Sequence, residues 1–242
     1  MNTGIADRLD LVRSRMADAA SRSGRNLGDI ELVAVTKTHG PEALQEAIAA
    51  GQILFGENRV QEARAKMPLV SSRARWHFIG HLQKNKIRQA LPAFELLHGI
   101  DSLELARDLH RIAQEDGQRP AILLEVNVAG EASKFGFNPA KLEADIETLV
   151  SDMPRLDIQG LMAIPPFSPE AEESRKYFVT LRRLRDTLQE KLRVGLPRLS
   201  MGMSGDFEVA IEEGATLIRV GTAIFGERRG KAWKPAGAAD LD

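Results

Sequence analysis

Lys37 follows Val33 and Val35 at every second residue of Glu31-Leu-Val-Ala-Val-Thr36, a short run rich in β-branched residues. Alternate residues of a strand share a face, so Lys37 stands on the same side as two apolar neighbours. If that side is an interior, the amine is partly desolvated, which lowers its pKa and readies it for imine formation. A lysine just past a strand end that reaches for water gives the same pattern. Arg219 is the second signal: it shares a strand face with Leu217 and Gly221. A buried guanidinium is costly unless something pairs with it, and a glutamate or a ligand could do so. The third signal is two pairs of small residues, Ser204-Gly205 and Gly221-Thr222. Their backbone N–H groups and hydroxyls suit a phosphate, although plain turns use the same residue types.

These residues need elements to position them, and the chain alternates strand-like and helix-like segments throughout. Strand patterns occur at 31–36, 53–55, 76–79, 95–98, 121–128, 156–162, 198–203 and 216–220. Helical patterns fall between them, at Pro41–Gly51, Arg59–Met67, Asn85–Leu91, Leu103–Glu115, Pro139–Asp152, Glu170–Leu192 and Phe207–Glu213. The strand starts lie about 26 residues apart on average, which fits a compact βα unit, and eight such units make a (β/α)8 TIM barrel. An open doubly wound sheet would carry Gly-x-Gly-x-x-Gly after its first strand; here that strand runs into Thr36-Lys-Thr-His-Gly40. Ile5, Leu9, Val12 and Met16 form an amphipathic stripe over about 4–22, an extra N-terminal helix. The expected organisation is one barrel domain over 1–228 and a flexible tail over 229–242.

In such barrels the site forms at the C-terminal ends of the strands, with phosphate bound by the loops after strands seven and eight. Lys37, Arg219 and the two small-residue pairs all fall at those ends. An imine-forming amine, an interior arginine and a phosphate cradle together fit pyridoxal 5′-phosphate (PLP).

Longer segments carry a resemblance. They are Ala34-Val-Thr-Lys-Thr38, Phe55-Gly-Glu-Asn-Arg-Val-Gln-Glu62, Trp76-His-Phe-Ile-Gly-His-Leu-Gln83, Lys134-Phe-Gly136, Gly160-Leu-Met-Ala-Ile-Pro165, Leu199-Ser-Met-Gly-Met-Ser204 and Arg219-Val-Gly-Thr-Ala-Ile-Phe-Gly226. In these the chain resembles the pyridoxal phosphate homeostasis protein family, from about Glu31 to Arg228. That family is similar to the barrel domain of alanine racemase, a fold-type III PLP scaffold. The resemblance implies Lys37 as the Schiff-base lysine, Arg219 beside the pyridine nitrogen, and Ser204, Gly221 and Thr222 at the phosphate. It places Asn58 near the ring and Lys134 where it touches cofactor or influences its exchange. Two features depart from the family. His39-Gly40 stands where many members have Lys-Pro, and the tail ends in Ala238-Ala-Asp-Leu-Asp242 rather than in basic residues.

An arginine at the pyridine nitrogen keeps the ring unprotonated and makes it a weaker electron sink. Alanine racemase compensates with a tyrosine from an added domain; here the one tyrosine, Tyr177, falls inside a helical segment. The expected function is therefore a PLP buffer or carrier in intracellular vitamin B6 homeostasis, without robust turnover. PLP-dependent apo-enzymes are its expected recipients. The alternative is a weak amino-acid racemase with His39 or His81 as its second base.

Composition narrows the field. The 242 residues hold no cysteine, which excludes disulfides, thiolate metal sites and cysteine nucleophiles. With 33 Lys and Arg against 34 Asp and Glu, the net charge of −1 lacks the basic surplus of a nucleic-acid binder. No apolar run approaches the ~18 residues of a membrane span, and no export signal opens the chain. A cytoplasmic monomer is expected. His77 and His81 have metal-like helical spacing, but on a strand positions four apart lie about 13 Å from each other. Gly202-Met-Ser-Gly205 departs from a serine elbow at Asp206. Lys84, Lys86 and Arg88 read as a solvated helix face, as do the basic residues of Glu170–Leu192.

Overall fold

The computed structural model describes residues 4–131, 134–227 and 233. Eight parallel strands close into a barrel in chain order: β1 (Glu31–Val35), β2 (Leu54–Glu57), β3 (Arg75–Phe78), β4 (Leu96–Ile100), β5 (Ala121–Glu125), β6 (Asp157–Met162), β7 (Arg198–Ser200) and β8 (Leu217–Val220). β8 pairs with β1 in the register Val33 opposite Arg219. The helices between and around them are α1 (Ile5–Arg22), α2 (Pro41–Ala49), α3 (Val60–Lys66), α4 (Ile87–Ala90), α5 (Leu103–Glu115), α6 (Pro139–Asp152), α7 (Arg175–Leu192), α8 (Phe207–Glu212) and α9 (Thr222–Phe225).

Strand alternation divides the apolar residues into two cores. Outward side chains such as Leu32, Ala34, Phe55, Trp76, Phe78, Leu97, Leu124 and Ile218 pack under the helices. Val33, Leu54, Leu96, Leu123, Met162 and Leu217 form a separate cluster inside the barrel. α1 buries Ile5, Leu9, Val12 and Met16 against α8 and α9. At the N-terminal end of the strands Glu31 takes Arg198 at 2.7 Å and Arg75 at 3.2 Å, closing the barrel floor with charge pairs. β6 and β7 approach so closely at Gly160 that a Cβ there would lie 1.8 Å from the Arg198 carbonyl oxygen.

The barrel and the expected helices are present, with shifted ends. The segment expected as a helix over Asn85–Leu91 is a 3-10 turn over Lys84–Lys86 followed by the short α4. The helix expected from Glu170 begins at Arg175, because Ser168 Oγ accepts from the Glu170 amide and donates to Glu173, holding Ala171–Ser174 as a 3-10 turn. β7 stops at Ser200 rather than Met203, where Gly202 turns the chain at φ 89°. β5 stops at Glu125; beyond it Val126 makes a single bridge to Phe137. α9 carries no sequence signal of its own. The tail proposed over 229–242 lies outside the described residues apart from Trp233, whose amide donates to Thr38 O at 3.0 Å. No helix among the described residues is long and apolar enough to cross a membrane.

Candidate functional site

Lys37 leaves the end of β1 half-buried, on a turn held from below by a buried ion cluster. Lys66, on α3 and fully buried, donates from Nζ to Glu57 Oε1 at 2.7 Å, Glu62 Oε1 at 2.6 Å and the Thr36 carbonyl at 2.8 Å. Thr36 Oγ1 donates to Glu57 Oε1, and the Thr38 amide to Glu62 Oε1, each at 2.7 Å. Thr38 has φ 72°, uncommon for a β-branched residue, and these bonds hold it there. Burial pushes the Glu57 carboxyl up, with Lys66 pulling the other way; its Oε2 is buried with no hydrogen-bond partner among the described residues.

Arg219 lies on β8 beside β1 and is buried. Nη1 donates to Ser200 Oγ and Nη2 to the Ala163 carbonyl at 2.9 Å. Burial lowers its pKa to about 10, opposed by Glu125 and Asp206, so it remains a cation at neutral pH. The partners holding it are thus a hydroxyl and a carbonyl rather than the glutamate that a purely structural pairing would use; Glu125 acts on it through the field alone.

The loops after β7 and β8 are tied together by Ser204, whose Oγ accepts from the Gly221 amide at 3.2 Å and the Ala223 amide at 3.3 Å. The amides of Ser204, Gly205 and Thr222 donate to no partner among the described residues. Thr222 is exposed, and Ser204 and Gly221 are half-buried. Gly221 lies against Val35 of β1, where an added Cβ would meet Val35 at 3.4 Å. Asn58, half-buried, follows β2 and lies against Gly80, the residue that carries β3 into its loop. The structure therefore brings Lys37, Arg219, Ser204, Gly221 and Thr222 to the adjoining ends of β1, β7 and β8, with Asn58 one strand further round.

The wall across the barrel carries residues that the sequence reading passed over. Glu125 ends β5, and its pKa is raised to about 7 by burial first and Asp101 second, with Arg219 and His81 opposing. Asp101 is buried, and its Oδ2 pairs with His81 Nδ1 at 2.7 Å. The His81 ring stacks on Phe135 with centroids 4.1 Å apart. His39 instead packs on Phe225, centroids 5.0 Å apart. Lys134 pairs with Glu131 at 3.0 Å beside a 140 Å³ cavity in the loop after β5. His77 points inward to His98, a different place from His81. A period-two reading of β5 gives Ala121, Leu123 and Glu125 one face, a signal that could have found Glu125.

The raised Glu125 pKa has a sign. A carboxyl in an unfolded chain titrates at about 4.3, so between that value and about 7 the folded protein keeps a proton the unfolded chain has lost. The stability this confers is present in acid and lost as pH rises through 7. Glu125→Gln is expected to gain about 3 kcal/mol over the parent on going from pH 4.5 to pH 8.5. Urea unfolding at both values checks it; an unchanged difference would refute the shifted pKa.

Comparison with known proteins places this architecture. The family described as the N-terminal domain of alanine racemase matches residues 8–229. PipY of Synechococcus elongatus PCC7942, solved with PLP bound and without it, is 41% identical with a TM-score of 0.81, over 92% of this chain and 100% of that one. Alanine racemase of Clostridium difficile 630 shares the fold at 15% identity, TM-score 0.70, over 93% of this chain and 58% of its own. The chain is thus a barrel of the alanine racemase N-terminal class. The pyridoxal phosphate homeostasis protein of Aquifex aeolicus is 42% identical over 224 residues, 92% of this chain and 98% of that protein. Its Pseudomonas aeruginosa counterpart is 44% identical over 231 residues, 93% and 96% of the two chains. The chain belongs to the pyridoxal phosphate homeostasis protein family.

Proposed function

We propose that the protein binds PLP as a Schiff base on Lys37 and takes part in vitamin B6 homeostasis as a buffer or carrier, without robust catalysis. The observation that carries this reading is the convergence of Lys37, a buried cationic Arg219 and three backbone amides with no acceptor among the described residues at the ends of three adjacent strands. That donor set fits the cofactor: amides and the Thr222 hydroxyl for a phosphate, a guanidinium that can only donate for an unprotonated ring nitrogen, and an amine for the aldehyde. Bound PLP supplies an aldehyde that condenses with a primary amine and releases water. Ser204 holds the loops that would carry the phosphate through the two amides from which it accepts, and Asn58 would lie near the ring. PLP-dependent apo-enzymes as recipients, a monomeric state and a cytoplasmic setting belong to the same proposal.

Borohydride reduction of the PLP-saturated protein followed by peptide mapping tests it. A phosphopyridoxyl group on Lys37 alone is expected; label spread over surface lysines with Lys37 unmodified would overturn the assignment.

One observation favours a weak racemase as the second reading. His81 is held by Asp101, the arrangement of an oriented acid–base group. Tyr177 offers no such group, since it lies in α7 with its ring 5.0 Å from Lys176 Nζ. Alanine racemisation that vanishes in His81→Gln, with Lys37 still labelled, would establish the second reading over the first.

A further inference from the structure

The inside of the barrel holds a buried polar chain that runs from Arg219 away from the phosphate loops. Ser200 Oγ receives Arg219 Nη1 and lies 2.9 Å from His98 Nδ1. His98 Nε2 lies 3.0 Å from His77 Nδ1. Ser200 and His98 are fully buried, and His77 and Arg219 nearly so. Val33, Leu54, Leu96, Leu123, Met162 and Leu217 form an apolar cluster inside the same barrel, so an apolar filling was available. Polar groups in such a place cost free energy unless each is satisfied.

The chemistry of the donors fixes the direction of the chain. Arginine has five N–H donors and no acceptor, so Ser200 Oγ accepts from Arg219. The hydroxyl has one proton, and His98 Nδ1 is the acceptor within reach. His98 therefore carries its own proton on Nε2 and donates it to His77 Nδ1. The opposite polarity would leave the buried Ser200 hydroxyl proton with no acceptor among the described residues. Both rings must be neutral for this to hold. Burial, reinforced by the neighbouring cations, keeps them so: His77 falls to about 4, with Arg198 and Arg75 working against its protonation and Glu31 for it. His98 is held well below its ordinary value by burial, then by His77, Arg219 and Arg198.

We propose that Ser200 and His98 are positioning residues for Arg219, forming a one-way relay, Arg219 to Ser200 to His98 to His77, that sets the guanidinium plane and thereby the preference for a ligand with a ring-nitrogen acceptor. With Nη1 committed to Ser200 and Nη2 to the Ala163 carbonyl, these two contacts and the covalent tether through Nε fix the plane, and the remaining N–H groups are presented as a fixed set. Without Ser200 the Ala163 contact alone remains among the described residues, and the guanidinium can turn about it. The inference rests on the PLP-binding reading above and goes beyond it to the residues that make the arginine selective.

Two measurements test it. The first is ¹⁵N NMR of the histidine rings in the apo protein. Both His98 and His77 are expected as the Nε2–H tautomer, without titrating between pH 5.5 and pH 8.5; an Nδ1–H tautomer at His98 would overturn the relay. The second is equilibrium binding of PLP and of its 1-deaza analogue, in which carbon replaces the ring nitrogen. The parent is expected to prefer PLP by about tenfold, the worth of one charge-assisted hydrogen bond. Ser200→Ala should abolish that preference, and Ser200→Thr, which keeps the hydroxyl, should restore it. A purely structural role would lower the melting temperature in Ser200→Ala and leave the ratio unchanged, which would overturn the proposal. A parent that binds both compounds equally would instead refute the role of Arg219 at the ring nitrogen, and no binding of either would refute the PLP reading itself.

Discussion

Lys37→Ala is expected to yield no phosphopyridoxyl peptide at all after saturation with PLP and reduction, whereas the parent protein yields one. The effect is total because reduction traps only an imine, and Lys66 of α3, whose amine reaches the Thr36 carbonyl beside Lys37, is fully buried and committed to three acceptors. Noncovalent PLP should still be detectable by dialysis, since Arg219 and the amides of Ser204, Gly205 and Thr222 are untouched. Lys37 is half-buried at a strand end, so unfolding free energy should move by no more than about 1 kcal/mol. Label retained at the parent level in Lys37→Ala would show that the imine forms elsewhere.

Lys66→Met is expected to be among the most destabilising single substitutions in the chain, by about 3–5 kcal/mol. The methionine fills the space of the lysine stem but leaves the Glu57 carboxylate, fully buried, without its cation and Glu62 with one partner fewer. The Thr36 carbonyl also loses its donor. Pairing the change with Glu57→Gln should recover much of the loss, because the uncompensated charge is gone. Chemical denaturation of both variants checks this, and equal destabilisation in single and double variants would count against a charge origin. The turn carrying Lys37 should loosen as well, as slower imine formation with PLP in Lys66→Met than in the parent.

The chain made its fold legible through periodicity. Eight short strand-like runs, about 26 residues apart on average and separated by helical patterns, identify the barrel, and Lys37 and Arg219 stand out because each continues a period-two apolar face with a charge. The ends of elements were less legible because tertiary contacts set them: Gly202 and the Ser168 hydroxyl decide where β7 stops and α7 starts. Residues whose importance depends on a partner were the hardest to see. Lys66 sits in a stretch that reads as an ordinary amphipathic helix, and the packing of α3 against β2, with the Lys66 amine reaching the Thr36 carbonyl, shows it to be buried. Ser200 and His98 lie 102 residues apart in the sequence, and no local pattern links them. His81 was visible as a histidine at a strand end, but Asp101, which orients it, comes from the next βα unit.

The closure of β8 onto β1 bears on how the protein comes to hold a ligand at all. Lys37 follows the first strand and Arg219 lies on the eighth, which pairs with it, so the site has one of the longest loop closures the chain can make, the kind of contact that forms late in folding. During synthesis the N-terminal part emerges first, and Lys37 is in solution well before any arginine or phosphate loop can accompany it. Ligand capture is then a property of the finished barrel alone. By mass action, a ligand that binds only the closed form raises its stability, so PLP would act as a fastener across the last joint to be made.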